Sequence, residues 1–216
     1  MTPDNEQVNH FSLAEEVWHA VTHGIGFVLS IVALALLVSF ATLSSSALHI
    51  TAATIYGVSL IIMYGSSTLY HALTHTKAKQ LFQKFDHSAI YFLIAGTYTP
   101  ILLITIGSSI GWTLFTVEWT IAIVGIAIKF IFPGRFEIAS LVAYVFMGWL
   151  IVFAFGTFKS NIDSVGFWLI LSGGIAYTSG IIFYVKDKIP YYHAVWHIFV
   201  MLGSILQFFA ILLYVV

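Results

Sequence analysis

His193 and His197 stand four residues apart in Pro190-Tyr-Tyr-His-Ala-Val-Trp-His197, at the opening of the last apolar segment. On a helix that spacing puts both imidazoles on one face, with Cβ atoms roughly 6 Å apart, within reach of one metal ion. Other ionisable side chains gather at the ends of other apolar segments. They fall in Ser66-Ser67-Thr-Leu-Tyr-His71, in Phe85-Asp86-His87, and in the chain start, which carries Glu15, Glu16, His19 and His23. His71, His193 and His197 would give a Zn²⁺ ion three nitrogens and leave a fourth position open, as in a catalytic site. The sequence has no cysteine, so any metal site must use His, Asp, Glu or Ser. The same residues also admit a second reading, a structural hydrogen-bond cluster without metal.

Ser67 lies four residues before His71, on the same helix face. Asp86 is the only carboxylate at this level in the second, third and seventh apolar segments. Either could hold a water beside the metal or orient a ligand imidazole. Glu16, His19 and His23 are spaced three and four apart and share a face, so they either cap the metal cavity or form a wet helix start. His75 and His87 read as solvated, and His49 as a structural residue of the opposite interface.

The elements that must carry these groups are set by composition. The chain has 216 residues, of which 60% are hydrophobic and only 8% charged, too few charges to cover a soluble domain. A helix needs about 20 apolar residues to cross the hydrocarbon core. Seven such runs are present, at 21–43, 48–71, 86–107, 111–132, 136–158, 163–185 and 191–214. The expected fold is all-α and polytopic: a 1–20 cytoplasmic segment, then a single seven-helix transmembrane domain over 21–216. The first twenty residues carry acidic groups and no Lys or Arg, the wrong start for a cleaved signal peptide. No internal repeat is visible, which weakens a transporter reading. The net charge of −1 gives no sign of a nucleic-acid partner. Lys77, Lys79, Lys84, Lys129, Arg135, Lys186 and Lys188 fall on one side of the seven spans and Lys159 on the other. That bias places the first group in the cytoplasm, with the N-terminus inside and the C-terminus outside. The histidine layer is then near the cytoplasmic face. Ionisable groups at such depth pair, bind an ion or line a polar cavity. Pro100 should kink the third span, with Gly96, Thr97 and Thr99 re-satisfying the backbone. Gly173, Gly174 and Gly180 suit close helix packing. Glu118 is placed to reach the outer interface.

Ser67-x-x-x-His71, then Asp86, then His193-x-x-x-His197 resembles the hemolysin III family, related to the progestin and adiponectin receptors and more distantly to the alkaline ceramidases. Glu16-Val-Trp-His-Ala-Val-Thr-His23-Gly-Ile-Gly26 is similar to the bacterial opening of that family, and Ala95-Gly-Thr-Tyr-Thr-Pro100 to its central signature. The resemblance covers nearly the whole chain. It implies seven transmembrane helices in a bacterial cytoplasmic (inner) membrane, and zinc on the three histidines with Ser67 and Asp86 in support. One departure is His19, where bacterial members often carry Asn.

Three functions follow as expectations. The first is zinc-dependent hydrolysis of a lipid amide or ester, with Asp86 as general base and membrane lipid as substrate. The second is a receptor-like regulator of membrane lipid state with structural zinc. The third is a cytolysin, as the family's name suggests, although a pore needs polar lining through its full depth.

Overall fold

The computed structural model describes residues 11–44 and 46–216. The regular structure among them is helical, and seven helical units are long and apolar enough to cross a bilayer. The all-α, seven-span expectation is borne out. Of the expected 1–20 segment, residues 1–10 lie outside the described residues. Helix α1 is Leu13–Leu43, α2 Ala47–Ala72, α3 Thr76–Pro100, α4 Ser109–Ile131, α5 Glu137–Gly148, α6 Phe155–Asn161, α7 Ser164–Val185 and α8 Tyr192–Tyr214. The third crossing runs on from α3 through a π-helical turn, Ile101–Ile106. The fifth is α5 and α6 joined by a 3₁₀ stretch, Leu150–Ala154.

Two helices begin well before their apolar runs. α1 starts at Leu13, where the Ser12 hydroxyl accepts from Glu15 N–H and the Glu15 carboxylate accepts from Ser12 N–H, a capping box. α3 starts at Thr76, with exposed His75 capping it by accepting from Ala78 N–H. Hydropathy marks where the bilayer begins, whereas capping marks where the helix begins. Lys77, Lys79 and Lys84 therefore ride on α3 rather than in a loop.

α3 is the central element: 78% of its apolar window is buried, against 22–44% for the other crossings. It packs between α2 and α4, α1 lies on α2 and α8, and α7 lies on α8. The start of α1, the end of α2 and the start of α8 are thereby brought together. After Pro100 the backbone loosens into the π turn, which Gly107 closes in the left-handed region (φ 60°) by donating to Leu102 O. The Thr97 and Thr99 hydroxyls donate to Leu93 O and Ala95 O one turn back. The fifth crossing breaks after Gly148, and Tyr98 of α3 bridges the break. Its phenol donates to Gly148 O (2.7 Å) and accepts from Ile151 N–H (3.4 Å). Irregular backbone at membrane depth persists where protein groups satisfy it in this way.

Gly173 and Gly180 face Gln207 and Trp196 of α8 with no room for a Cβ, the close packing expected of small residues. Gly174 has open space beside it and lines a cavity instead. Glu118 does not reach an interface. It is fully buried, and neither carboxylate oxygen has a hydrogen-bond partner among the described residues.

Candidate metal centre

His71 closes α2, while His193 and His197 lie in the first two turns of α8. One nitrogen from each lies within 4.8 Å of the other two. His71 and His197 are buried and His193 is half-buried. Glu15 Oε1 accepts from Tyr191 N–H (3.0 Å), tying the start of α1 to the start of α8. Tyr191 itself takes a left-handed turn (φ 64°) that aims the chain into α8.

Two of the three rings are held by their outward nitrogens. Glu16 Oε2 lies 2.7 Å from His71 Nδ1, and Glu16 Oε1 lies 2.8 Å from the Lys79 ammonium. A carboxylate paired with a lysine is ionised and only accepts, so His71 donates from Nδ1 and turns the lone pair of Nε2 inward. Nε2 of His71 is buried and has no hydrogen-bond partner among the described residues. The Thr22 hydroxyl donates to the carbonyls of Trp18 and His19 (2.8 and 3.0 Å). It therefore accepts from His197 Nδ1, 3.1 Å away, and leaves Nε2 of His197 for another partner. His193 Nδ1 is likewise buried without a protein partner among the described residues. A carboxylate or hydroxyl behind each imidazole is how proteins fix the tautomer of a metal-binding histidine. Three imidazoles that bring one nitrogen each within 4.8 Å of the other two, with no thiolate, could hold a borderline cation such as Zn²⁺.

The family model for Haemolysin-III related proteins matches residues 11–208. The chain belongs to the haemolysin-III family. It is 47% identical to Hemolysin-3 of Bacillus cereus over 215 residues, covering 100% of this chain and 98% of that one. It is also 47% identical to the Hemolysin-3 homolog of Bacillus subtilis (strain 168), covering 95% of this chain and 97% of the relative. Similarity extends at 30% identity to the human Monocyte to macrophage differentiation factor, over 91% of this chain and 83% of that protein.

Within this family member the other expected site residues divide. Glu16 is the carboxylate on His71. Asp86 is buried on α3 but makes no hydrogen bond or ion pair with the histidines among the described residues. Ser67 bonds His23 rather than His71, with Oγ 2.8 Å from His23 Nδ1. His23 in turn stacks flat on His197, ring centroids 3.5 Å apart and planes 10° apart. His19 sits among His71, His193 and His197. His87 is half-buried beside Tyr70 rather than solvated.

Lys79, expected as a loop charge, is 4% exposed, bonds Tyr70 O (3.0 Å) and Glu16, and lies over the Tyr70 ring. Thr22 and Phe11 had no place in the sequence reading. Thr22 could have been found as the hydroxyl three residues after His19. Phe11 sits just before the N-cap, where an apolar side chain often staples the first turn; here its ring lies 4.7 Å from that of His19 and 5.0 Å from that of His193.

Proposed function

We propose that this haemolysin-III protein binds Zn²⁺ through His71, His193 and His197 and hydrolyses an amide or ester bond of a membrane lipid. The observation that carries the reading is the convergence of these buried imidazoles beside an apolar cavity. That cavity lies between α3, α5, α7 and α8, and its walls include Ile94, Tyr98, Tyr144, Tyr184 and Trp196. Tyr184 also contacts His193, ring centroids 6.4 Å apart, so cavity and histidines share a wall. Bound there, zinc would polarise a carbonyl and acidify a water. Glu16 and Thr22 hold His71 and His197 in their metal-binding tautomers, and Ser67 holds His23 against His197. No glutamate stands between His193 and His197, so the general base comes from another helix. Asp86 fits that role as a buried carboxylate on α3.

The test is release of fatty acid from a fluorescent ceramide and a matched phospholipid, with the purified protein in lipid nanodiscs. Zinc-dependent release is expected from one of them, lost in His197→Ala and about 10²–10⁴-fold slower in Asp86→Asn. Absence of release from both, with zinc still bound, would favour the second reading, a receptor-like regulator whose zinc is structural. The nearness of His19 to the three ligands favours that second reading. The names of the Bacillus relatives suggest lysis. The histidine layer lies at one end of the bundle, which gives no support to a pore lined through its depth.

We also infer a bacterial cytoplasmic membrane, with the N-terminus and the histidine layer inside and the C-terminus outside. Lys79 and Lys129 are buried in ion pairs with Glu16 and Glu137. Without them, Lys77, Lys84, Arg135, Lys186 and Lys188 still oppose Lys159 alone, and the bias holds. Reporter fusions after Lys188 and after Val216 should read cytoplasmic and external, respectively. The reverse pattern would invert the orientation.

A further inference from the structure

We propose that His19 is a fourth imidazole ligand of the same metal ion, so that the resting site is closed by four histidines. The inference rests on the zinc reading above and deepens it. The ring of His19 lies 4.7 Å from that of His71, 4.8 Å from His193 and 5.3 Å from His197. The other three pairs are separated by 5.4, 5.3 and 4.8 Å. Four points whose mutual distances all fall between 4.7 and 5.4 Å are the corners of a near-regular tetrahedron. With zinc–nitrogen bonds of about 2.0–2.1 Å, four tetrahedral imidazoles would have ring centres ~5 Å apart. The interplanar angles of the six pairs run from 56° to 68°. No pair among them is stacked.

The neighbouring groups do not meet the same conditions. His23 lies flat on His197 and gives Nδ1 to Ser67, which makes it packing for a ligand. The Glu16 carboxylate is taken by His71 and Lys79. His19 is fully buried, and a ring nitrogen of His19 lies within 4.8 Å of one of His71. It follows Glu16 by three residues, so one helix face presents both the ligand and the carboxylate that orients its neighbour. Phe11 meets the His19 ring edge-on at 4.7 Å and lies 5.0 Å from the His193 ring, covering that side of the cluster. The consequence separates the two functional readings. Four protein ligands make a closed, structural kind of site, whereas three leave room for a substrate. For hydrolysis, His19 must give up its place.

X-ray absorption at the zinc edge of the purified, zinc-loaded full chain in detergent decides the point, because outer-shell scattering counts imidazoles. Four imidazoles and no oxygen neighbour are expected in the unaltered protein, and three with one oxygen in His19→Asn. Zinc with three imidazoles and one oxygen in the unaltered protein would overturn the assignment and leave the three-histidine site standing. Failure to take up one zinc per chain would overturn both. Cobalt substitution supplies a second readout. The d–d bands of a tetrahedral site should shift and weaken in His19→Asn as water enters, and identical spectra would count against His19.

Discussion

His71→Ala is expected to raise the zinc dissociation constant by more than about 100-fold. Losing an orienting partner alone typically costs 10–100-fold, and on the proposed reading His71 is both a ligand and the ring that this partner orients. Its inward Nε2 is buried without a protein partner among the described residues, so no other hydrogen bond competes for that lone pair. The fold should survive. His71 ends α2, and its removal leaves the Glu16–Lys79 pair in place. The measurement is competition for zinc against a chelator of known affinity, with helicity by circular dichroism as the control. Wild-type affinity in the variant would remove His71 from the site and leave α1 and α8 to supply the ligands.

Glu16→Gln should do two separable things. The amide keeps the shape but loses the charge. Zinc affinity should fall about 10–100-fold as the His71 Nδ1–H loses its carboxylate acceptor. Lys79, with 4% of its side chain exposed, keeps Tyr70 O but loses its counter-charge. Leaving one partner of a buried pair alone costs about 3–5 kcal/mol, read as a lower midpoint of thermal unfolding in detergent. The double variant Glu16→Gln/Lys79→Met removes the stranded ammonium. It should recover most of the stability and none of the zinc affinity. Recovery of both together would mean that Glu16 acts on the site only through the fold.

Much of the architecture could be read from the order of residues. Seven apolar runs become seven crossings because a bilayer demands about 20 apolar residues per span and internal satisfaction of every backbone group. The spacing of His193 and His197, and the fall of His71 and His19 at other span ends, put imidazoles at one level. Each of these is a local property, fixed by distance along a single helix.

What the tertiary structure decided is which group meets which. Spacing says that Ser67 and His71 share a face, but the rotation of α2 against α1 sends Ser67 to His23 and His71 to Glu16. That rotation is set by apolar packing beside the cluster. Tyr64 of α2 fills the space where a Cβ on Gly26 would lie, and no hydropathy count carries such a contact. Lys79 counts in the sequence only as one of the cytoplasmic-side charges, whereas α3 begins at Thr76 and carries its side chain inward to Glu16 and Tyr70 O. Asp86 shares the depth of the histidines, and α3 buries it there without a hydrogen bond or ion pair to them among the described residues. The sequence by itself determined depth, since the bilayer reads composition along each helix. Only the packed bundle decided azimuth, because the angle at which each helix faces its neighbours is a property of all seven crossings together.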